Sequence, residues 1–118
     1  MSKAIVPQRL VIYGAEGKVR GVIENRILRK TICGRVHLLR KPPAIAIDAR
    51  MYDRYRPHFD EIEITDTETG VVYRVAARCF DRWRFVIERG YGRQYALPLS
   101  RWKVELPNDP QRRLELRL

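Results

Sequence analysis

The stretch Phe59–Val75, FDEIEITDTETGVVYRV, decides the fold class. Ile62 and Ile64 alternate with Glu61 and Glu63, the two-residue period of a strand with one buried face. Asp66-Thr-Glu-Thr-Gly70 then supplies turn chemistry. The Asp66 carboxylate can accept from backbone N–H groups just downstream, and Gly70 can take the positive φ that closes such a turn. Val71–Val75 resumes as a β-rich run. The pattern predicts a β-hairpin with the isoleucines inside and Glu61 and Glu63 on the wet face.

Working outward, Arg9–Tyr13 and about Lys18–Glu24 read as strands separated by the turn Gly14–Gly17. Ile27–Ile32 and Arg35–Arg40 flank Cys33-Gly34 and predict a second hairpin, ended by Lys41-Pro42-Pro43 because proline cannot donate to a ladder. Ala44–Ile47 reads as a short buried strand. Asp48 is a candidate N-cap for a helix over Ala49–Tyr55, which Pro57 stops. Ala76–Trp83 predicts a second short helix with Cys79, Phe80 and Trp83 on one face. Arg84–Glu88 follows as a strand. Gly90–Gly92 is a break, and Gln94–Leu97 and Arg101–Leu106 are final strands. The expected core is Ile62, Ile64, Val71, Tyr73, Phe80, Phe85, Ile87 and Leu97, with Ile45 and Ile47 beside them.

These pieces predict an α+β, strand-dominated fold: a mostly antiparallel sheet, or a small partly open barrel, with one or two short helices. Residues 1–106 read as a single compact domain and 107–118 as a linker and C-terminal tail. Leu114, Leu116 and Leu118 alternate, so the tail offers a strand to a sheet edge in this copy or another, a route to a homo-oligomer. A length of 118 residues suits one domain, and the 45% apolar share suits a globular core. No apolar run approaches the roughly 18 residues of a membrane helix, and MSKAIVPQR lacks a signal-peptide core. The expectation is a cytoplasmic protein with no membrane partner. Cys33 and Cys79 read as free thiols. With His37 and His58 they lack the paired spacing of a zinc site.

Charge carries the functional expectation. The formal charge is +10, and arginine supplies 19 of the 24 basic residues. Such a balance points to a polyanion, and arginine suits phosphate and base stacking. Residues 18–41 hold eight basic residues against Glu24 alone. On a hairpin, Arg26, Arg29, Lys30, Arg35, Arg40 and Lys41 would line a basic ribbon able to track phosphates. A second patch, Arg82-Trp83-Arg84 with Arg89, Tyr91 and Arg93, mixes cations with rings, the combination that holds single strands.

The expected function is therefore sequence-independent nucleic-acid binding, to DNA or RNA, through phosphate and stacking contacts. The alternative is a non-catalytic interaction or assembly protein with a basic surface. A metal-dependent nuclease is the third reading, resting on Asp48, Asp60, Glu61, Glu63 and His58. Glu61 and Glu63 fit the wet face of a strand better than a metal site. Cys33 and His37 are near in sequence, which does not make a nucleophilic site. Gly14–Gly17 lacks the Lys-Ser/Thr of a phosphate loop, so no cofactor is expected.

Overall fold

Alternation of apolar and polar side chains carries most of the chain into strands. In a computed structural model of the chain, the described residues are 8–24, 29–32, 35–90 and 92–104, without the side chains of Lys18 and Arg89. The strands are β1 Arg9–Gly14, β2 Gly17–Lys18, β3 Arg20–Glu24, β4 Arg29–Ile32, β5 Val36–Arg40 and β6 Pro43–Asp48. Helix α1, Ala49–Tyr55, runs into a 3-10 turn at Arg56–His58. Then come β7 Glu61–Asp66, β8 Val72–Ala76, helix α2 Ala77–Trp83, β9 Phe85–Arg89 and β10 Gly92–Pro98. A second 3-10 turn, Ser100–Trp102, leads into β11, Lys103–Val104.

The strands form two sheets, ordered β11-β8-β7-β1-β3-β4 and β2-β5-β6-β10-β9. The β1–β7 pair is parallel and the other described pairs are antiparallel, and neither sheet closes into a barrel. The two share one apolar core. Ile12, Ile23, Ile62, Ile64 and Val75 come to it from the first sheet, and Leu38, Ile45, Ile47 and Leu97 from the second. Each large side chain taken out of water there contributes about 1.5–3 kcal/mol.

The hairpin around residues 66–70 forms as its sequence predicts. Ile62 pairs with Val75 and Ile64 with Tyr73. Both isoleucines are fully buried, while Glu61 and Glu63 lie on the opposite face. The Asp66 carboxylate accepts from the Glu68 and Thr69 N–H groups at 3.0 and 3.3 Å, and Gly70 has φ +75°. The first helix also starts where its sequence says: the Met51 N–H donates to Asp48 Oδ1 at 3.0 Å. Gly14 is a tighter requirement. Its φ is +156°, and a Cβ there would sit 2.6 Å from Val19 Cγ1. Gly14→Ala should therefore lower stability by about 1–3 kcal/mol. Gly90→Ala, which meets no neighbour and needs no positive φ, should cost less in the same thermal melts. Equal losses would refute the steric account.

Four expectations need correction. The hairpin over 27–40 does not form between its two halves. β4 pairs with β3, with Ile32 opposite Gly21, and β5 pairs with β6, with Val36 opposite Ile47. The chain thus passes from one sheet to the other between Ile32 and Val36. Burial decides this: Ile32 fills the space beside Gly21 and Leu10, and Val36 and Leu38 find Ile47 and Ile45. Phe85 is not in the core. β9 is an edge strand, and its pairing puts Val86 on the face of Tyr95 and Phe85 on the outer face with Ala96. Phe85 is 62% exposed, and Val71 and Ile87 are only half-buried. Trp83 separates from Phe80. It ends its helix outside the core and is exposed, while Phe80 is fully buried. Residues 101–104 begin with a 3-10 turn rather than a strand, and the expected strand's last two positions, like the linker and tail at 107–118, lie outside the described residues.

Candidate nucleic-acid interface

The two helices are short, and each buries only part of its surface. Ala49, Met51 and Tyr52 of α1 and Ala77 and Phe80 of α2 face the core. Asp81 ties the helices together. It accepts from the Tyr52 hydroxyl at 2.6 Å, from Arg56 Nε at 2.8 Å and from an Arg84 terminal nitrogen at 3.2 Å. Tyr52 also packs against the Phe59, Phe80 and Tyr95 rings, with centroids 4.9–5.5 Å away. The Arg84 guanidinium lies 3.6 Å from the centre of the Tyr95 ring, and the Tyr95 hydroxyl donates to the Asp53 carboxylate at 2.9 Å.

Burial and neighbouring carboxylates raise three phenols, two of them in this network. Tyr52 is pushed far above its ordinary value by burial, then by its hydrogen bond to the Asp81 carboxylate. Tyr95 is raised by burial and by its bond to Asp53, and Tyr73 by burial and the nearby Asp66 charge. In the fold the neutral phenol is favoured, so this stability is present below the unfolded tyrosine value near pH 10 and is lost as pH climbs above it. Absorbance at about 295 nm should show Tyr52 ionising only as the fold melts, and Tyr73 and Tyr95 ionising above the ordinary tyrosine range. A single titration of all tyrosines near pH 10 with the fold intact would refute it.

The cations fall into two populations. Most arginines on the sheets and their loops meet carboxylates. Arg9 pairs with Glu61 and Glu63 at 3.4 Å, and Arg74 joins Glu63 at 3.3 Å, which builds a charge lattice on the outer face of the first sheet. Arg40 is enclosed by Glu68 at 2.6 Å, Glu16 at 3.3 Å and Asp66 at 3.6 Å. The helices differ. Arg50 and Arg54 lie one turn apart on α1, and Arg78 and Arg82 one turn apart on α2. All four are exposed, and none has a carboxylate within ion-pair distance among the described residues. Arg82 lies over the ring of Trp83, 5.3 Å from its centre, and Trp83 is 51% exposed.

The positions expected to bind are therefore spread over several elements. Arg29 and Lys30 lie on edge strand β4. Arg29 is 3.7 Å from Glu24, and the Lys30 ammonium sits 5.5 Å from the centre of the Tyr55 ring at the end of α1. Arg35 precedes β5 and is exposed, and Lys41 is exposed in the β5–β6 turn. Arg40 faces carboxylates, and Arg84 is held by Asp81 and Tyr95. Arg93 pairs with Glu88 at 2.8 Å. Arg26 and Tyr91 lie outside the described residues, as does the Arg89 side chain. Lys30, Arg82 and Arg84 are thus brought to the helical side of the molecule, Arg40 and Lys41 are not part of one ribbon with Arg29, and Arg93 of the second patch lies on β10, paired with Glu88 and lining one hollow with Arg50. The sequence reading missed Arg50, Arg54 and Arg78. Their four-residue spacing with Arg54 and Arg82 was the available signal, since it places each pair on one face of its helix.

The acidic residues considered for metal chemistry separate in the same way. Asp48 caps α1, while Glu61 and Glu63 bind arginines on the first sheet. Among the described residues no three His, Cys, Asp or Glu side chains converge as a metal site. Cys79 is a half-buried free thiol on α2. A hollow of about 530 Å³ opens between the start of α1 and β10, lined by Asp48, Arg50, Asp53, Arg93 and Tyr95 among others. Both of its carboxylates accept hydrogen bonds, from the Met51 N–H and the Tyr95 hydroxyl. No helix among the described residues is long and apolar enough to cross a membrane.

No protein-family model matches the chain, and comparison with curated proteins and with solved structures likewise finds no match.

Proposed function

We propose that this protein binds nucleic acid with little regard to sequence, using the outer faces of α1 and α2 with Lys30 beside them. One observation carries the reading: carboxylates neutralise most arginines of the sheets, exposed Arg20 excepted, while Arg50, Arg54, Arg78 and Arg82 on the helices all stay exposed without one among the described residues. Exposed guanidinium groups on short helices can each take a phosphate oxygen, and their partnering costs no broken ion pair. Trp83, with Arg82 over its ring, adds a flat surface on which an unpaired base can stack. Arg84 supports the site from behind, since its contacts to Asp81 and Tyr95 fix the end of α2.

The formal charge of +10 adds long-range attraction for a polyanion. Binding through such contacts is electrostatic, so log K should fall linearly with log salt, by roughly 0.7 per phosphate contact on single strands and 0.9 on duplexes. Fluorescence anisotropy with a single-stranded oligonucleotide, a duplex and a structured RNA, each at several salt concentrations, measures this directly. A folded sample that binds none of them at about 50 mM salt would refute the reading.

A further inference from the structure

The two sheets have four outer strands, and three are protected. β11 and β2 are two residues long, and β4 presents exposed Arg29 and Lys30. Short length and basic side chains are the usual means by which soluble proteins keep open sheet edges from pairing. β9 is less protected, since its charged residues, Glu88 and Arg89, stand only at its end. It is five residues long, keeps continuous register with β10, contains no proline and begins with Phe85-Val86-Ile87. Successive strand residues point to opposite faces. Yet Phe85 is 62% and Val86 55% exposed, so both faces of this strand are bare, and exposed Trp83 stands just before it.

We infer that the free edge of β9 pairs with β9 of a second copy, antiparallel, about a two-fold axis at Val86. Residues 90 and 91 connect β9 to β10, and Arg89 pairs with Gly92. In a two-residue hairpin the flanking pair is hydrogen-bonded, so the backbones of Arg89, Ile87 and Phe85 face β10. The backbone groups of Val86 and Glu88 then face the open edge. A symmetric antiparallel pair using them centres on Val86, Ile87 or Glu88. Centring on Glu88 sets two carboxylates opposite each other. Centring on Ile87 sets Val86 against Glu88 and Phe85 against Arg89. Centring on Val86 sets Val86 against Val86, Phe85 against Ile87 and Arg84 against Glu88. Only that register matches apolar with apolar throughout, and it sets Arg84 beside Glu88, which keeps Arg93 of its own copy as a first partner; symmetry supplies each unlike pair twice. Arg84 gives one terminal nitrogen to Asp81 and keeps further donors for the carboxylate. The two five-stranded sheets become continuous across the axis.

Five residues of edge make a small interface, so the dimer is weak and concentration-dependent. Sedimentation velocity on the full chain over a concentration series should show reversible monomer–dimer exchange. Val86→Lys sets two ammonium groups on the axis and should raise the dissociation constant at least tenfold. Its melting temperature at low protein concentration should stay at the wild-type value, because Val86 is exposed in the single copy. In a background with both native cysteines replaced by serine, Val86→Cys should cross-link under mild oxidation faster than Ile87→Cys or Glu88→Cys. Fastest cross-linking from Ile87→Cys would overturn the register. A dimer that survives Val86→Lys but is lost on deleting residues 107–118 would give the contact to the tail and overturn the proposal. A monomer at about 1 mM, where a dimer of millimolar dissociation constant is well populated, would also overturn it.

Discussion

Replacing Arg50, Arg54, Arg78 and Arg82 together by alanine should lower affinity for a single-stranded oligonucleotide by at least about a hundredfold at about 50 mM salt, and flatten its salt slope by up to about 3. The size follows from counting: each phosphate contact contributes roughly 0.7 to the slope on single strands, and at about 50 mM salt, relative to 1 M, each such contact is worth nearly tenfold in affinity. These side chains are exposed and lack carboxylate partners among the described residues, so their loss should barely move the melting temperature. Arg40→Ala is the control. Arg40 already faces Glu16, Asp66 and Glu68, so its loss should leave the slope unchanged while leaving buried Asp66 without its cation. Trp83→Ala should reduce affinity for single strands by about 1–3 kcal/mol without changing the slope, because no cation is lost. Anisotropy titrations at several salt concentrations read all three. A quadruple variant with the wild-type slope would remove these arginines from the interface.

Ile64→Ala should destabilise the fold by about 2–5 kcal/mol. Ile64 is fully buried on β7, between β1 and β8, where it pairs with Ile12 and Tyr73. Removing its outer carbons loses their transfer free energy and leaves a cavity that two flanking strands prevent from collapsing. For a domain of this size such a loss is a large part of the total stability, commonly about 5–15 kcal/mol. Phe85→Ala removes a larger ring from the chain, yet it should cost far less in dilute protein, since that ring is mostly in water. Urea denaturation of both variants tests the contrast. Equal destabilisation would mean that Phe85 is packed as the sequence pattern suggests and not as its strand pairing places it.

The contrast between those two residues marks how far the sequence could be read. Ile62 and Ile64 sit in a run where alternation, an Asp at the turn and a glycine before the returning strand all agree, so local chemistry alone fixed their side of the sheet. Asp48 before Ala49–Tyr55, and Pro57 after it, fixed α1 in the same way, because capping and the missing proline N–H act within a few residues. Arg84–Glu88 alternates equally well, but alternation has two phases. Which phase faces inward depends on Tyr95 and Leu97 of β10 taking the core side opposite Ile47 and Ile45.

The candidate site divides along the same line. Its excess of arginine and the pairing of cations with Trp83 were legible, since they are properties of composition and near neighbours. The expected basic ribbon was not there to be read, because strand partners are chosen by burial over long sequence separations. β4 joined Gly21 and its neighbours in one sheet, and β5 joined Ile45 and Ile47 in the other. That separation carried Arg40 to three carboxylates from two other loops and left Lys30 beside Tyr55. By itself the sequence determined most of the strands, the two short helices, the cap of the first and the sign of the charge, all set by interactions spanning a few residues. Only the tertiary structure decided which arginines meet a carboxylate and which stay open, because an ion pair forms between side chains that folding brings within about 4 Å, whatever their distance along the chain.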